Sequence, residues 1–335
     1  MDLKPYIHNT LSLSLDKEGY YHLERFTESQ RQSIGTHALY RSMSKTSSGC
    51  SLRFLTRGSS LSFRCKRFNQ SLLRKEGDLE FDFPRLYGRK MDMRDYFDLV
   101  IDGLLVESLP LRTGEITAVW ENAKKDLVEV ELFFPLTHQV GIKDFTCDEP
   151  IKAHQGAPSS LLVLGDSIVQ GVGSESPSVA LTPRLASLSG QSVINQGLMG
   201  SLFNPDVVQE LVPTVPISKI IVGYGTNDWV IRPSLTELEE VVDALLARLF
   251  ELYPTTEILL LSPLWRSDWE IERAMGSFTE MSEAIKKVSK DFPLVTFVDC
   301  LSCIDHTEEV FADGFLHPNK KGFSLYAKAL EPYLM

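Results

Sequence analysis

Cysteine is scarce in this sequence, and long apolar runs are missing. Five cysteines are spread over 335 residues, and this odd, thin distribution argues against a disulfide scaffold and fits reduced thiols. No stretch approaches about 18 uninterrupted apolar residues, so no transmembrane helix or membrane insertion is expected. The first residues contain no apolar segment behind basic residues, so no signal peptide is expected. These features predict a cytoplasmic protein.

Motifs for metals and nucleotide cofactors are also missing. No set of cysteines and histidines has the spacing of a zinc site. Cys300-Leu-Ser-Cys303 has the spacing of a redox pair but lacks the sequence context in which such pairs act. Gly171-Val-Gly173 is only a fragment of the dinucleotide-binding fingerprint. We therefore expect no metal and no cofactor.

The net negative charge of the chain lies entirely in its second half. Residues 1–155 carry equal numbers of basic and acidic side chains, so residues 156–335 carry the whole net charge of −11. An acidic surface repels the phosphate backbone of nucleic acids, so no nucleic-acid partner is expected. A small molecule is the expected partner, and a homo-oligomer stays compatible with the sequence.

The first half of the chain shows the two-residue alternation of half-buried strands. Apolar and polar residues alternate over 52–54 and 61–65, and Arg57-Gly58-Ser59-Ser60 between them indicates a hairpin. Many short strands separated by turns predict an antiparallel β-sandwich or jelly roll. We place this accessory domain at residues 1–150.

From about residue 156 the pattern changes to short apolar runs separated by helical segments. This alternation predicts a parallel, doubly wound sheet with helices on both faces. The runs are Leu161–Leu164, Val193–Ile194, Lys219–Val222, Ile258–Leu261 and Leu294–Phe297. We therefore predict an α/β domain over residues 156–335, joined to the first domain by a linker within Cys147–Pro158.

Residues suited to acyl transfer follow these runs. Ligands of open α/β sheets bind beyond the carboxyl ends of the strands, and Ser167, Gly197 and Asn227 follow the first three runs. His317 lies beyond the fifth run and could accept the Ser167 proton, with Asp313 orienting the imidazole. The backbone N–H groups of Ser167 and Gly197 and the side-chain amide of Asn227 would then bind the oxyanion.

Each of these polar residues also has a purely structural interpretation. Ser167 is a favoured cap for the helix that follows the first strand. Asn227 suits a turn, and a structural histidine before Pro318 would be unremarkable. Their joint occurrence at the ends of successive strands favours chemistry over these separate structural roles.

Three further residues are candidates for the wall of a substrate pocket. Trp229 and Trp265 follow the third and fourth strands, where each either lines the pocket or packs in the core. Asp166 precedes the candidate nucleophile, although a carboxylate in such a loop commonly accepts hydrogen bonds from the backbone.

The motifs Gly165-Asp166-Ser167, Asn195-Gln196-Gly197, Gly225-Thr226-Asn227-Asp228 and Asp313–Asn319 occur in this order, each beyond an expected strand. With them, residues from about 160 to 335 resemble the GDSL/SGNH hydrolase superfamily. The resemblance implies a three-layer α/β/α sandwich around five parallel strands, in agreement with the five apolar runs. It also implies esterase, lipase, carbohydrate deacetylase, thioesterase or acyltransferase activity without a metal.

The first half is similar to the β-sandwich domain that precedes the hydrolase domain in one bacterial subgroup of this superfamily. The similarity rests on Phe97-Asp98-Leu99-Val-Ile-Asp102-Gly103 and on Phe134-Pro135-Leu136, although the glycine and tyrosine of the subgroup's G-x-D-L-Y signature are absent. It implies that the sandwich packs beside the active site and helps to form the pocket.

The sequence departs from the superfamily at the acidic residue. The superfamily places its aspartate three residues before the histidine, and that position is Gly314 here. Asp313 lies four residues before His317 and would need one extra residue to be accommodated. The alternatives are a Ser–His dyad with a backbone carbonyl behind the imidazole, or Asp305 as the acidic partner.

These features predict a serine esterase that cleaves a small acyl ester, in the first place an acetyl ester of a carbohydrate, through an acyl-enzyme on Ser167. An acyltransferase would use the same residues but exclude water. A non-catalytic carbohydrate-binding protein would keep the sandwich without the chemistry, which the intact motif set disfavours.

Overall fold

The computed structural model describes residues 1–34, 38–68, 94–211, 213 and 215–334. Its amino-terminal part forms two antiparallel sheets. The first sheet contains, in spatial order, β1 (Ile7–His8), β4 (Ser51–Thr56), β9 (Val128–Phe133), β6 (Tyr96–Ile101) and β7 (Leu104–Pro110), with β11 (Ile151–Ala153) also beside β4. The second contains β2 (Ser12–Leu15), β3 (Tyr21–Glu24), β10 (Val140–Cys147), β5 (Ser60–Arg67) and β8 (Gly114–Val119).

The two sheets enclose one core, as the alternating apolar residues predict. Rings from both sheets meet there: the Phe145 centroid lies 5.7 Å from that of Phe54, and the Phe63 centroid lies 5.1 Å from that of Phe97. The structure confirms a β domain ahead of the α/β unit.

The expected hairpin at residues 57–60 is wrong. β4 and β5 belong to different sheets, so the chain crosses the sandwich at this point. The backbone N–H groups of Ser59 and Ser60 donate to the Asp148 carboxylate, which fixes the crossing. The expected linker also contains structure, because β11 at Ile151–Ala153 pairs with β4.

Two short helices interrupt the predicted all-β part, α1 (Glu28–Ser33) and α2 (Ala38–Met43). A capping box begins α1: Thr27 Oγ1 accepts from the Gln30 N–H, and Gln30 Oε1 accepts from the Thr27 N–H. Six residues are too few for a clear helical period in the sequence, so the strand pattern of the surrounding residues concealed both helices.

The remaining strands each contain or overlap one of the five apolar runs: β12 (Ser160–Gly165), β13 (Ser192–Gly197), β14 (Ile217–Gly223), β15 (Glu257–Leu261) and β16 (Val295–Val298). They form the predicted parallel sheet, in the order β13-β12-β14-β15-β16. Because β12 lies between β13 and β14, residues that follow these three strands are brought to one edge of the sheet.

Helices cover both faces of this sheet and complete three layers. They are α3 (Ser167–Gln170), α4 (Leu181–Ser189), α5 (Thr226–Ile231), α6 (Leu235–Leu252), α7 (Phe278–Ser289) and α8 (Lys320–Leu330). Apolar residues of α5, α6 and α7 pack on one face, and those of α3, α4 and α8 pack on the other. Among the described residues, none of the helices has the length and apolar character needed to cross a bilayer.

Arg25 joins the β domain to the parallel sheet. Its guanidinium is fully buried and donates to the carbonyls of Asn195 and Gly197 at the end of β13. The same group donates to the carbonyl of Met43, the last residue of α2, and to that of Thr46 shortly after it. Burial lowers the pKa of Arg25 to about 10, so the group stays charged at neutral pH.

A second junction forms around Asp98 of β6, which is also fully buried. Its carboxylate accepts hydrogen bonds from the hydroxyls of Ser108, Ser176 and Ser178 and from the Ser178 N–H. Because Ser176 and Ser178 lie between α3 and α4, this strand of the sandwich is fastened directly to the α/β unit.

Replacing Arg25 should destabilise the whole protein. Arg25→Met keeps most of the side-chain volume but leaves buried carbonyls without a donor, so we expect the free energy of unfolding to fall by about 3–5 kcal/mol. The measurement is urea denaturation at neutral pH. Arg248→Met, which removes an exposed ion pair with Glu251, is the control and should change it by less than about 1 kcal/mol. Equal effects of the two variants would contradict the role given to Arg25.

Candidate active site

Ser167 lies at the first position of α3, directly after a sharp turn out of β12. Asp166 caps this helix, because its Oδ1 accepts from the Ile168 N–H at 2.9 Å. The turn requires glycine at 165, where a Cβ would lie 2.2 Å from Val169 Cγ2. The fold therefore presents the Ser167 hydroxyl at the carboxyl edge of the sheet.

His317 meets Ser167 across this edge. The distance between Ser167 Oγ and His317 Nε2 is 2.9 Å, and that between His317 Nδ1 and Asp313 Oδ2 is 2.7 Å. An ionised carboxylate can only accept, so Nδ1 carries the imidazole proton and Nε2 is left to accept from the Ser167 hydroxyl. This is the arrangement in which a histidine acts as a general base toward a serine.

The Asp313 carboxylate also builds the turn that precedes His317. Its Oδ1 accepts from the N–H groups of Phe315, Leu316 and His317 at 2.8–3.1 Å, and Gly314 adopts a left-handed φ of 67°. The four-residue spacing is accommodated in this way. Asp305, the alternative acidic partner, is exposed.

The charge of Asp313 is maintained by the same contacts. Burial raises the pKa of this carboxyl, but the hydrogen bond and charge of His317, with the N–H groups of Leu316 and Phe315, outweigh it and hold the pKa below its ordinary value. Asp313 is therefore ionised at neutral pH and able to stabilise an imidazolium at His317.

The expected oxyanion role of Gly197 is wrong. Its backbone N–H already donates to Asn195 Oδ1 at 2.8 Å. A Cβ at this position would lie 2.2 Å from the Gln170 nitrogen, so glycine is required here for the packing of α3 against β13. Gly197 ends the strand and supports the site from behind.

Gly200 replaces Gly197 as the candidate donor. It lies beyond β13 with a φ of 79°, and its N–H donates to no group in the described part of the chain. Its neighbours hold it beside Ser167: Met199 N–H donates to Gln170 Oε1, and Ser201 Oγ donates to the Gly165 carbonyl. In the sequence, the signal for this donor was Gly200, which lies beyond the apolar run, and not Gly197, which belongs to the strand.

Asn227 reaches the same loop from the beginning of α5. Its Nδ2 donates to the Ser201 carbonyl at 2.9 Å, which leaves the second N–H of the amide for another acceptor. The Ser167 N–H, at the first position of α3, has no helical carbonyl to donate to. Three candidate oxyanion donors thus lie in the segments that follow β12, β13 and β14 at one edge of the sheet: the Ser167 N–H, the Gly200 N–H and the Asn227 amide.

Residues 163–325 match the model of the GDSL-like lipase/acylhydrolase family. The chain carries a GDSL-like lipase/acylhydrolase domain. No curated protein matches the sequence.

Solved structures are similar over both parts of the chain, and at these identities the likeness concerns the fold. The salicylyl-acyltransferase SsfX3 from a tetracycline biosynthetic pathway has a TM-score of 0.77 at 18% identity, covering 96% of this chain and 92% of that one. A protein from Bacteroides ovatus described as a GDSL-like lipase has 0.73 at 19%, covering 98% and 94%. The acetyl xylan esterase Est2A from Butyrivibrio proteoclasticus has 0.59 at 16%, covering 97% and 98%.

The GDSL-like domain does not use Trp229 as a pocket wall. The Trp229 side chain is fully buried, donates to the Gly276 carbonyl and packs edge-on against Phe278. Trp265 is also buried, stacked on His306 with a centroid distance of 5.4 Å. Both indoles belong to the core, Trp229 in the cluster on one face of the parallel sheet and Trp265 in the cluster on the other.

Asp166 acts as a helix cap rather than as a pocket residue, and its burial should make stability depend on pH. Burial raises the pKa of its carboxyl from 3.8 to about 7, because it outweighs the hydrogen bond from Ile168 and is reinforced by the charge of Asp228. The folded state thus binds this proton more tightly than the unfolded state does, and stability is lost as the pH rises from about 4 to about 7.

Asp166→Asn should remove this loss, since asparagine caps a helix equally well but does not ionise. We expect the variant to gain stability over the wild-type protein, by an amount that grows between pH 5 and pH 8. Urea denaturation at both pH values measures the difference. Asp243→Asn, on the exposed side of α6, is the control and should shift stability by less than about 0.5 kcal/mol at either pH. A gain at Asp166 that is independent of pH would contradict the assignment.

Proposed function

We propose that this protein is a serine esterase that removes a small acyl group, in the first place acetyl, from a carbohydrate ester. The observation that carries the proposal is the continuous set of contacts from Asp313 through His317 to Ser167. It joins a nucleophile, a base and an orienting carboxylate at the edge of the sheet where α/β proteins bind ligands.

The chemistry proceeds in two stages. Ser167 Oγ attacks the carbonyl carbon while His317 Nε2 takes its proton, and the resulting oxyanion accepts hydrogen bonds from Gly200, Asn227 and the Ser167 N–H. The imidazolium then gives its proton to the alcohol oxygen, the ester C–O bond breaks, and an acyl-enzyme remains. Water, deprotonated by His317, attacks the acyl carbonyl, and Ser167 leaves with its proton restored.

Two observations support a neutral, sugar-bearing substrate. The hydrolase part of the chain carries the whole net charge of −11, which disfavours anionic substrates. Est2A, which shares the fold over nearly the whole of both chains, is an acetyl xylan esterase. Trp229 and Trp265 are both buried, so neither offers a stacking surface to a sugar ring.

An acyltransferase is the second candidate, because SsfX3 shares the fold and is a salicylyl-acyltransferase. In that case an acceptor alcohol would replace water in the second stage, with the same roles for Ser167 and His317. Adding a sugar alcohol to the assay separates the two activities, since transfer yields a new ester and hydrolysis yields free acid.

Ser167→Ala should abolish ester hydrolysis without unfolding the protein. Loss of the nucleophile typically lowers kcat by about 10⁴–10⁶, measured on p-nitrophenyl esters from acetate to decanoate and on acetylated xylo-oligosaccharides. Ser289→Ala, which removes a buried hydroxyl at the end of α7, is the matched control and should keep full activity. Retention of more than a few per cent of activity by Ser167→Ala, or wild-type preference for decanoate, would overturn the proposal.

Asp313→Asn should reveal whether the carboxylate orients His317. The asparagine oxygen can still accept the backbone N–H groups, but its amide nitrogen would face Nδ1 and favour the wrong imidazole tautomer, so kcat should fall by up to about 10⁴. Asp305→Asn is the control and should change kcat by less than twofold. A loss below about tenfold at Asp313 would instead indicate a Ser–His dyad.

A further inference from the structure

Three hydrogen bonds from within the hydrolase domain hold the loop that follows β13. Asn227 Nδ2 donates to the Ser201 carbonyl, Ser201 Oγ donates to Gly165, and Met199 N–H donates to Gln170. These contacts fix the residues before and after Gly200. Gly200 itself lies inside a turn that the Ser201 N–H closes by donating to the Leu198 carbonyl at 3.0 Å, with a left-handed φ of 79°. This hydrogen bond does not use the carbonyl of Gly200.

The β domain supplies a restraint on the Gly200 carbonyl. Tyr40 Oη, on α2, donates to the Gly200 carbonyl at 2.8 Å. The Tyr40 ring and Leu39 also cover Gly200, since a Cβ built on this glycine would lie 3.5 Å from Tyr40 Cε1 and 3.5 Å from Leu39 Cδ2. The loop thus packs against α2, a helix that belongs to the other half of the chain.

The hydroxyl of Tyr40 is suited to remain a donor. Burial raises the pKa of this phenol above its ordinary value, and the charge of Asp228 raises it further, so the proton stays in place over the working pH range. The helix itself is held in position, because Arg25 donates to the carbonyl of Met43 at the end of α2 and to that of Gly197 at the end of β13.

We infer that Tyr40 is a positioning residue of the oxyanion-binding loop: by holding the Gly200 carbonyl, it keeps the Gly200 N–H turned toward the oxyanion at Ser167. The inference rests on the proposed function. Without this contact, only the hydrogen bond from the Ser201 N–H to the Leu198 carbonyl would restrain the peptide that carries the Gly200 carbonyl. Glycine has access to a wide range of φ and ψ, so its N–H would then spend less time at the position where the charge develops. The β domain is therefore part of the catalytic apparatus.

Tyr40→Phe tests this inference, because it removes one hydroxyl and keeps the ring that covers Gly200. We expect kcat on p-nitrophenyl acetate to fall about tenfold with KM unchanged, less than the 10²–10³ lost when an oxyanion donor is deleted. Affinity for methylboronic acid, whose tetrahedral adduct on Ser167 places an oxygen in the same position, should weaken by the same factor. If Tyr40 only stabilised the fold, kcat and the affinity for methylboronic acid would not fall by the same factor.

Tyr253→Phe is the matched control. It deletes a hydroxyl that donates to the Gln209 carbonyl and accepts from the Leu211 N–H, both at 2.9 Å, and that makes neither bond to the Gly200 loop. We expect unchanged kcat and unchanged boronate affinity, with thermal unfolding of both variants within a few degrees of the wild-type protein.

The outcomes separate this inference from the proposed function. An active wild-type enzyme whose kcat and boronate affinity survive Tyr40→Phe within twofold would overturn the inference alone. A rise in KM with kcat unchanged would also overturn it, because Tyr40 would then bind substrate rather than position the loop. A wild-type protein that neither cleaves the ester nor binds the boronate would overturn both.

Discussion

The buried guanidinium of Arg25 is the interaction on which the site depends. A charge removed from water is tolerated only where it is fully hydrogen-bonded, and Arg25 achieves this with backbone carbonyls drawn from two distant parts of the chain. Those carbonyls belong to the end of β13, to Met43 at the end of α2 and to Thr46 shortly after it. Satisfying one cation therefore fixes the relative position of the strand that leads into the Gly200 loop and the helix that carries Tyr40.

The parallel sheet and the central groups of the candidate site could be predicted from the sequence because their signals are local. An apolar run marks each strand, and the topology brings the residues after the strands together. Ser167, Asn227 and His317 follow from position alone, and the structure brings Ser167 and His317 within hydrogen-bond distance. Even the unusual spacing of Asp313 could be considered in advance, since one carboxylate can bind both a turn and an imidazole.

The parts that could not be predicted depend on contacts between distant residues. Gly197 and Gly200 look alike in sequence, and only the hydrogen bond from Gly197 to Asn195 Oδ1 shows which of them has a free N–H. Trp229 follows a polar loop in the sequence, which suggested a position at the pocket, but in the structure it is surrounded by apolar core residues. The helices α1 and α2 are too short to leave a period in the sequence, although α2 carries the hydroxyl that binds Gly200.

The separation of Arg25 from its acceptors has a consequence for biosynthesis. Asn195 and Gly197 lie 170 and 172 residues further along the chain, so at about 5–20 residues per second the ribosome adds them roughly 10–30 s after Arg25. Until then the guanidinium and the side chain of Gln30, whose amide pairs with Gln196, lack their native partners. The segment with α1 and α2 is therefore synthesised early but acquires its native hydrogen-bond partners late. Until then, the nascent chain must keep this segment soluble while the first strands of the hydrolase domain are translated.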